Sequence, residues 1–325
     1  MRAATTARLE IPTLMDVKDA AKKIRRYLPV TPFRSYPTLN ETLGFDAFLK
    51  HEHHLPTGAF KVRGGVNLVS RLTKDERSRG IIGASTGNHG QSIAYAGKLF
   101  DVEATIAVPR SANPGKVEAM RALGADVVLE GANFDEARVW VAKHAERTGM
   151  RYIHSGNEPH LIAGVGTNTL EMLTAEPDLD AILVPVGGGS GAAGACIVAK
   201  GLKAKARVIG VQSASAPAAY RSWKERRLVT EPSKTFAEGL ATGAGFELPQ
   251  QILWQHLDDF QLVPDVEIAA AMRTLLQKTP NLVEAAGAAS LAAASALRKE
   301  LRGKKVGLVL SGGNISMPQL RELLA

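Results

Sequence analysis

Cysteine is almost missing from this chain. Cys196 is the only one in 325 residues, which excludes an internal disulfide framework and fits a reducing, cytoplasmic setting. Aromatic side chains are scarce at 5%, while glycine is plentiful at 31. That balance suits an α/β protein with many tight turns better than a β-sandwich. The opening stretch MRAATTARLEIP holds no apolar run of the signal-peptide kind. Long uncharged runs are also rare, and the one at Ala181 to Ala199 is broken by Pro185 and by four glycines in the five positions 187 to 191. A buried strand, a glycine turn and a small-residue helix account for it better than a membrane span. A net charge of +8 comes with no basic stripe carrying interleaved aromatics and no zinc-finger or helix-turn-helix pattern. Nucleic acid is therefore not an expected partner. The basic clusters read as solvated helix faces, with a weak preference for small anionic metabolites.

What is present is an alternation. Apolar runs at 45–49, 81–82, 104–108, 127–129, 182–186, 208–211 and 306–310 read as strands, and helical patterns lie between them at 91–99, 115–123, 135–147, 192–200, 268–277 and 285–297. Strand alternating with helix predicts mainly parallel sheets covered on both faces. With 45% hydrophobic residues, the chain is long enough for more than one compact unit.

Three polar loops follow predicted strands. Gly187-Gly188-Gly189-Ser190-Gly191 leads into a helix, where converging backbone N–H groups and the positive helix end form a phosphate cradle. The pattern G-x-G-x-x-G is present from Gly189 to Gly194, but the next strand ends Gly210-Val211-Gln212-Ser213 without a carboxylate, and no Walker lysine follows the glycines. A dinucleotide or ATP is thereby disfavoured, and a small phosphorylated cofactor favoured. Ser85-Thr86-Gly87-Asn88-His89 offers hydroxyls, an amide and helix-start N–H groups suited to a carboxylate. Ser311-Gly312-Gly313-Asn314 follows the strand at 306–310. Open α/β sheets bind ligands at such strand ends.

The segment Thr57-Gly58-Ala59-Phe60-Lys61-Val62-Arg63-Gly64-Gly65 sets one lysine beside an aromatic ring amid glycines, company that suits an amine nucleophile. Phosphate cradle and isolated lysine together point to pyridoxal phosphate. The segments TGAFKVRGG, STGNHG, KVEAMRALGADVV, IAGVGT, PVGGGSGAAG, FAEGL, VEAAGAA and SGGN occur in that order. In these the chain resembles fold type II pyridoxal-phosphate enzymes, the threonine/serine dehydratase and serine racemase group. The resemblance implies a two-lobed α/β fold like the tryptophan synthase β subunit, each lobe an open, mainly parallel sheet flanked by helices. Residues 1–79 and 156–325 would form a large cofactor lobe, and 80–155 a small lobe with the carboxylate loop.

The resemblance implies roles as well. Lys61 would form the Schiff base and later remove the Cα proton, with Phe60 against the cofactor ring. Gly187, Gly188, Gly189, Ser190 and Gly191 would hold the phosphate, Ser311 the ring nitrogen and Asn88 the ring's 3-oxygen. Ser85, Thr86, Gly87, Asn88 and His89 would receive the substrate carboxylate. Glu238 and Glu284 would be acids near the ring. The implied reaction is elimination from L-threonine, L-serine or another β-hydroxy amino acid to a 2-oxo acid and ammonia, in a homodimer. A β-replacement synthase, a racemase and a non-catalytic metabolite-binding protein are the alternatives.

Some positions depart from the pattern. Thr86 stands where serine racemase has a proton-exchanging serine and typical dehydratases have alanine. Gln212, Ala216 and Ala218 stand where some relatives place metal-binding groups, so no divalent metal is expected there. In His51-Glu52-His53-His54, alternation along a strand would put His51 and His53 on one face. Without a distant partner ligand these read as packing and surface. Glu52 occupies a common family position. Cys196 reads as a core residue. Residues 111–116 and 154–158 are candidates for shaping the side-chain pocket. With the chain ending at Ala325, no regulatory C-terminal domain is expected.

Overall fold

The structure, a computed structural model, describes residues 10–112 and 114–325. The segment read above as free of a signal-like run thus lies largely outside the described residues, as does position 113 of the stretch 111–116. Among the described residues ten strands form two sheets. They are β1 (Phe33–Ser35), β2 (Asp46–His51), β3 (Ile81–Ala84), β4 (Ala104–Val108), β5 (Asp126–Leu129), β6 (Arg151–Tyr152), β7 (Ala181–Pro185), β8 (Arg207–Ser213), β9 (Asp259–Val263) and β10 (Lys305–Leu310). The six-stranded sheet runs β1-β2-β10-β7-β8-β9 and the four-stranded sheet β5-β4-β3-β6. Among the described strands only the β1–β2 pair is antiparallel.

Alternation along the strands feeds two faces. In β7, Leu183 joins one core with Leu49, Ile209 and Leu308, while Ile182 and Val184 join another with Val208 and Val309. The first core is roofed by the alanine-rich helix Ala285–Ala296 and the second by the helix Ser190–Gly201. The uncharged run Ala181–Ala199 is therefore a buried strand, a turn and a helix, and among the described residues no helix is long and apolar enough to cross a membrane. Under the four-stranded sheet, Ile81, Ile106 and Val127 pack with Val62, Val66, Leu161 and Val165. The helix Lys61–Val69 thus lies between the four-stranded sheet and the helix Pro159–Ala175.

Small residues permit this packing. A Cβ on Gly64 would lie 2.8 Å from Leu161, and one on Gly164 would lie 2.6 Å from the Arg63 carbonyl. One on Gly194 would meet the Gly166 backbone at 2.7 Å. The glycines of RGG, IAGVGT and GSGAAG are contact points between three helices.

The strand expectations hold within a residue or two, and β4 has the expected bounds. One local expectation fails: β2 ends at His51, and Glu52–His54 form a 3-10 turn rather than continuing the strand. His51, His53 and His54 consequently gather on one side instead of alternating.

Candidate active site

Lys61 opens its helix directly after Phe60. Its Nζ donates to the Ser155 carbonyl at 3.0 Å and to Ser190 Oγ at 2.9 Å, and lies 5.4 Å from the centre of the Phe60 ring. Withdrawal of the amine from water lowers its pKa to about 8. Its own carbonyl accepts from Ser92 Oγ at 2.7 Å. A Cβ on Gly65 would lie 2.3 Å from that hydroxyl oxygen. The glycine lets the helix Asn88–Phe100 close against the lysine's backbone.

Beneath the lysine is a charge cluster that the sequence does not advertise. The buried Arg63 donates from Nε to Glu52 Oε2 at 2.6 Å and from Nη2 to Glu52 Oε1 at 2.9 Å. It reaches Glu171 with Nη1 and Nη2 at 2.7 and 2.8 Å, and Lys50 meets the same carboxylate at 2.5 Å. Thr31 Oγ1 donates to Glu52 Oε1 at 2.6 Å. Two carboxylates clamp one guanidinium two residues beyond Lys61 and fix the helix that carries it.

The glycine loop lies at the C-terminal end of β7. Its glycines are forced by close approach: a Cβ on Gly187 would be 2.3 Å from the Gly239 carbonyl oxygen, and one on Gly188 would be 2.3 Å from the Phe246 ring. Gly189, at φ +89°, precedes the helix Ser190–Gly201, whose N-terminus has no side-chain cap. Among the described residues, no protein acceptor takes the N–H groups of Gly187, Gly188 or Gly189. Orphaned donors, a positive helix end and an amine on Ser190 are what a phosphorylated aldehyde requires. Gly191 lies against Phe60, its absent Cβ 3.2 Å from the ring.

A second uncapped helix start, at Gly87, follows β3. Ser85 Oγ accepts from the Gly87 N–H at 3.2 Å, and nothing lies within 4 Å of where a Gly87 Cβ would stand. Thr86 is partly exposed beside it. The Asn88 side chain donates to Glu284 Oε1 and accepts from Asn314 Nδ2, both at 2.7 Å. This ties the four-stranded sheet's loop to loops of the larger sheet. Burial holds the Glu284 carboxyl above its ordinary range, against the opposing Asn88 donor. The His89 ring is buried and turned to the Ile153 carbonyl at 3.4 Å, and burial lowers its pKa to about 3. Only its backbone N–H belongs to the helix start.

Ser311 is buried at the end of β10, and its carbonyl accepts from the Phe60 N–H at 3.0 Å. Glu238 is farther out. Half-exposed, it pairs with Lys116 and accepts from Gln319 Nε2 at 3.1 Å. This pair lines a 570 Å³ cavity together with Glu284 and Asn314. His154 Nδ1 accepts from the Gly156 and Asn157 N–H groups at 3.1 and 3.0 Å. The 154–158 segment is thus a folded turn that presents the Ser155 carbonyl to Lys61. Sequence reasoning named Ser155 only within the pocket stretch 154–158 and missed Ser92 and Phe246; Ser155 acts through its backbone carbonyl, which leaves no residue signature. Gln212 is buried, accepting from the Tyr220 N–H at 3.0 Å, and Cys196 is a core residue whose thiol pKa burial raises.

Comparison with known proteins finds relatives that match most of this chain. An L-threonine ammonia-lyase of Thermotoga maritima is 37% identical over 96% of this chain and 78% of its own length. An L-threo-3-hydroxyaspartate ammonia-lyase of Saccharomyces cerevisiae is 35% identical over 97% of both chains. The crystal structure of serine racemase from Dictyostelium discoideum superposes with a TM-score of 0.88 at 33% identity, over 94% of this chain and 99% of that one. Residues 24–312 match the family described as pyridoxal-phosphate dependent enzyme. This chain, with its glycine cradle and buried amine, belongs to the pyridoxal-phosphate-dependent enzymes.

Proposed function

We propose that the protein is an ammonia-lyase that converts L-threonine, L-serine or a related β-hydroxy amino acid to a 2-oxo acid and ammonia by α,β-elimination. One observation carries this reading: the desolvated Lys61 amine stands 2.9 Å from Ser190, at the head of a loop whose glycine N–H groups have no protein acceptor. The ammonia-lyase names of relatives aligned over nearly the whole chain support the reaction type.

When bound, the cofactor supplies an aldehyde for an amine and a ring that withdraws electrons from the substrate's Cα. Gly187, Gly188, Gly189, Ser190 and Gly191 would hold its phosphate, Ser311 its ring nitrogen and Phe60 a flank of the ring. Lys61 would anchor it covalently. With a pKa of about 8, about one amine in ten is neutral at pH 7, against roughly one in three thousand at the ordinary value. The same amine can therefore act as nucleophile and as base for the Cα proton. The N–H groups at the start of the Asn88 helix, with Ser85 and Thr86, would bind the substrate carboxylate. Glu284 holds Asn88 in place for the ring's 3-oxygen. Glu238, half-exposed and paired with Lys116, fits the substrate's side-chain end better than the ring.

Racemisation is favoured by one feature, the Thr86 hydroxyl on the carboxylate loop. Thr86→Ala should leave elimination largely intact, and chiral analysis of recovered serine would expose any racemase activity that the substitution removes. We also read the protein as a cytoplasmic homodimer with residues 80–155 as a small lobe. Exposed Val266, Met317 and Leu324, at 72%, 63% and 59%, lie on two helices that touch and offer an apolar face for a second copy. Light scattering should give about twice the 34.6 kDa chain mass. The reaction is tested by offering L-threonine, L-serine, 3-hydroxyaspartate and phenylserine to the holoenzyme with 2-oxo acid detection. Product from none of them would refute the proposal.

A further inference from the structure

We propose that His51, His53 and His54 form a site for one divalent transition-metal ion, separate from the cofactor site. β2 ends at His51 and the chain turns immediately into the Glu52–His54 3-10 turn. The turn folds three imidazoles together. Ring centres lie 5.3 Å apart for His51 and His53, 5.2 Å for His51 and His54, and 4.3 Å for His53 and His54. One ring nitrogen from each lies within 4.8 Å of the other two.

Two of the rings are gripped by one nitrogen, leaving the other unused. His53 Nε2 is 3.3 Å from Asn281 Oδ1; an amide oxygen only accepts, so the proton sits on Nε2 and Nδ1 keeps its lone pair. His51 Nε2 is 3.2 Å from the Tyr36 hydroxyl, whose oxygen also accepts from Asn281 Nδ2 at 3.1 Å. The Nδ1 atoms of both rings are buried and without a hydrogen-bond partner, and His51 as a whole is 0% exposed. Imidazoles held through one nitrogen with the other free are the usual arrangement of metal-binding histidines.

The donor set decides the ion. Both oxygens of Glu52 are engaged by Arg63, so no carboxylate joins the cluster. Neutral imidazoles alone suit zinc, cobalt, nickel or copper and not magnesium or calcium. Nitrogens on one tetrahedral zinc stand roughly 3.3 Å apart, so the present triangle must tighten. His54 is exposed and can turn inward, with solvent completing the coordination. The cluster also touches the cofactor side: His51 pairs with Leu310, and a Cβ on Gly313 would lie 3.1 Å from that of His53. A bound ion would pin the turn against the Ser311–Asn314 loop.

The test uses untagged holoenzyme, stripped with chelator and titrated with Co²⁺ by visible absorption and with Zn²⁺ by calorimetry. One ion per chain is expected. His54→Ala, which removes an exposed ring, should weaken binding at least tenfold, and Asn281→Ala should weaken it about 10–100-fold. His144→Ala, outside the cluster, should bind as the wild type does. Absence of stoichiometric binding would overturn the proposal, as would unchanged affinity in both His54→Ala and His53→Ala.

Discussion

Two glycine-bearing loops enter helices at the ends of parallel strands, and they are built differently. At Gly187 and Gly188 a methyl group would strike a backbone carbonyl and a phenyl ring, each at 2.3 Å. At Gly87 the same methyl would meet nothing within 4 Å. In the first loop the α-carbons are packed against backbone and ring. The second has room. The contrast extends to the charges nearby: behind the packed loop, Arg63 is locked between Glu52 and Glu171 with almost no exposure, whereas beside the open loop Lys116 and Glu238 pair at the rim, where the glutamate side chain is 50% exposed. A group that stays bound through many turnovers suits the packed side, and a substrate that comes and goes suits the open one.

Breaking the packed side should have the largest effect. Arg63→Met strands the buried Glu52 carboxylate, leaves Glu171 with Lys50 alone, and should cost about 3–5 kcal/mol of stability in urea unfolding. Gly187→Ala forces a methyl against backbone that cannot yield. An overpacking cost of about 1–3 kcal/mol corresponds to cofactor affinity falling about 5- to 140-fold, measured by pyridoxal-phosphate titration of the apoenzyme. The Lys61 pKa gives a pH test. Because that pKa is lowered to about 8, the rate at which the apoenzyme captures the aldehyde should rise about tenfold per pH unit below 8 and level off above it. A rise continuing to pH 10 would mean that the amine is not desolvated. On the open side the effects shrink. Lys116→Ala should change stability by less than about 1 kcal/mol, and Gly87→Ala should raise KM while leaving cofactor affinity within about threefold. Cofactor loss in Gly87→Ala would erase the distinction between the loops.

The same contrast explains what could be read from the sequence. Strands with sustained apolar runs, such as Ala104–Val108, declare themselves, whereas Arg151–Tyr152 is two residues long and Phe33–Ser35 is a short antiparallel edge. These are too brief for periodicity to show. The glycine loop and Lys61 stand out in the sequence because the chemistry proposed for them needs particular residue types in a row. The carbonyl of Ser155 does not, since any residue supplies one. Nor does the Arg63 clamp, whose partner Glu171 lies 108 positions away. The histidines misled because a strand period was extended past His51, where the backbone leaves the sheet.

The central claim is that the amine of Lys61 carries the cofactor over the Gly187–Gly191 cradle. Borohydride reduction of fully loaded enzyme, followed by proteolysis and mass mapping, tests it directly. The label should fall on Lys61 alone and disappear in Lys61→Ala. A label on any other lysine of the loaded protein would contradict it.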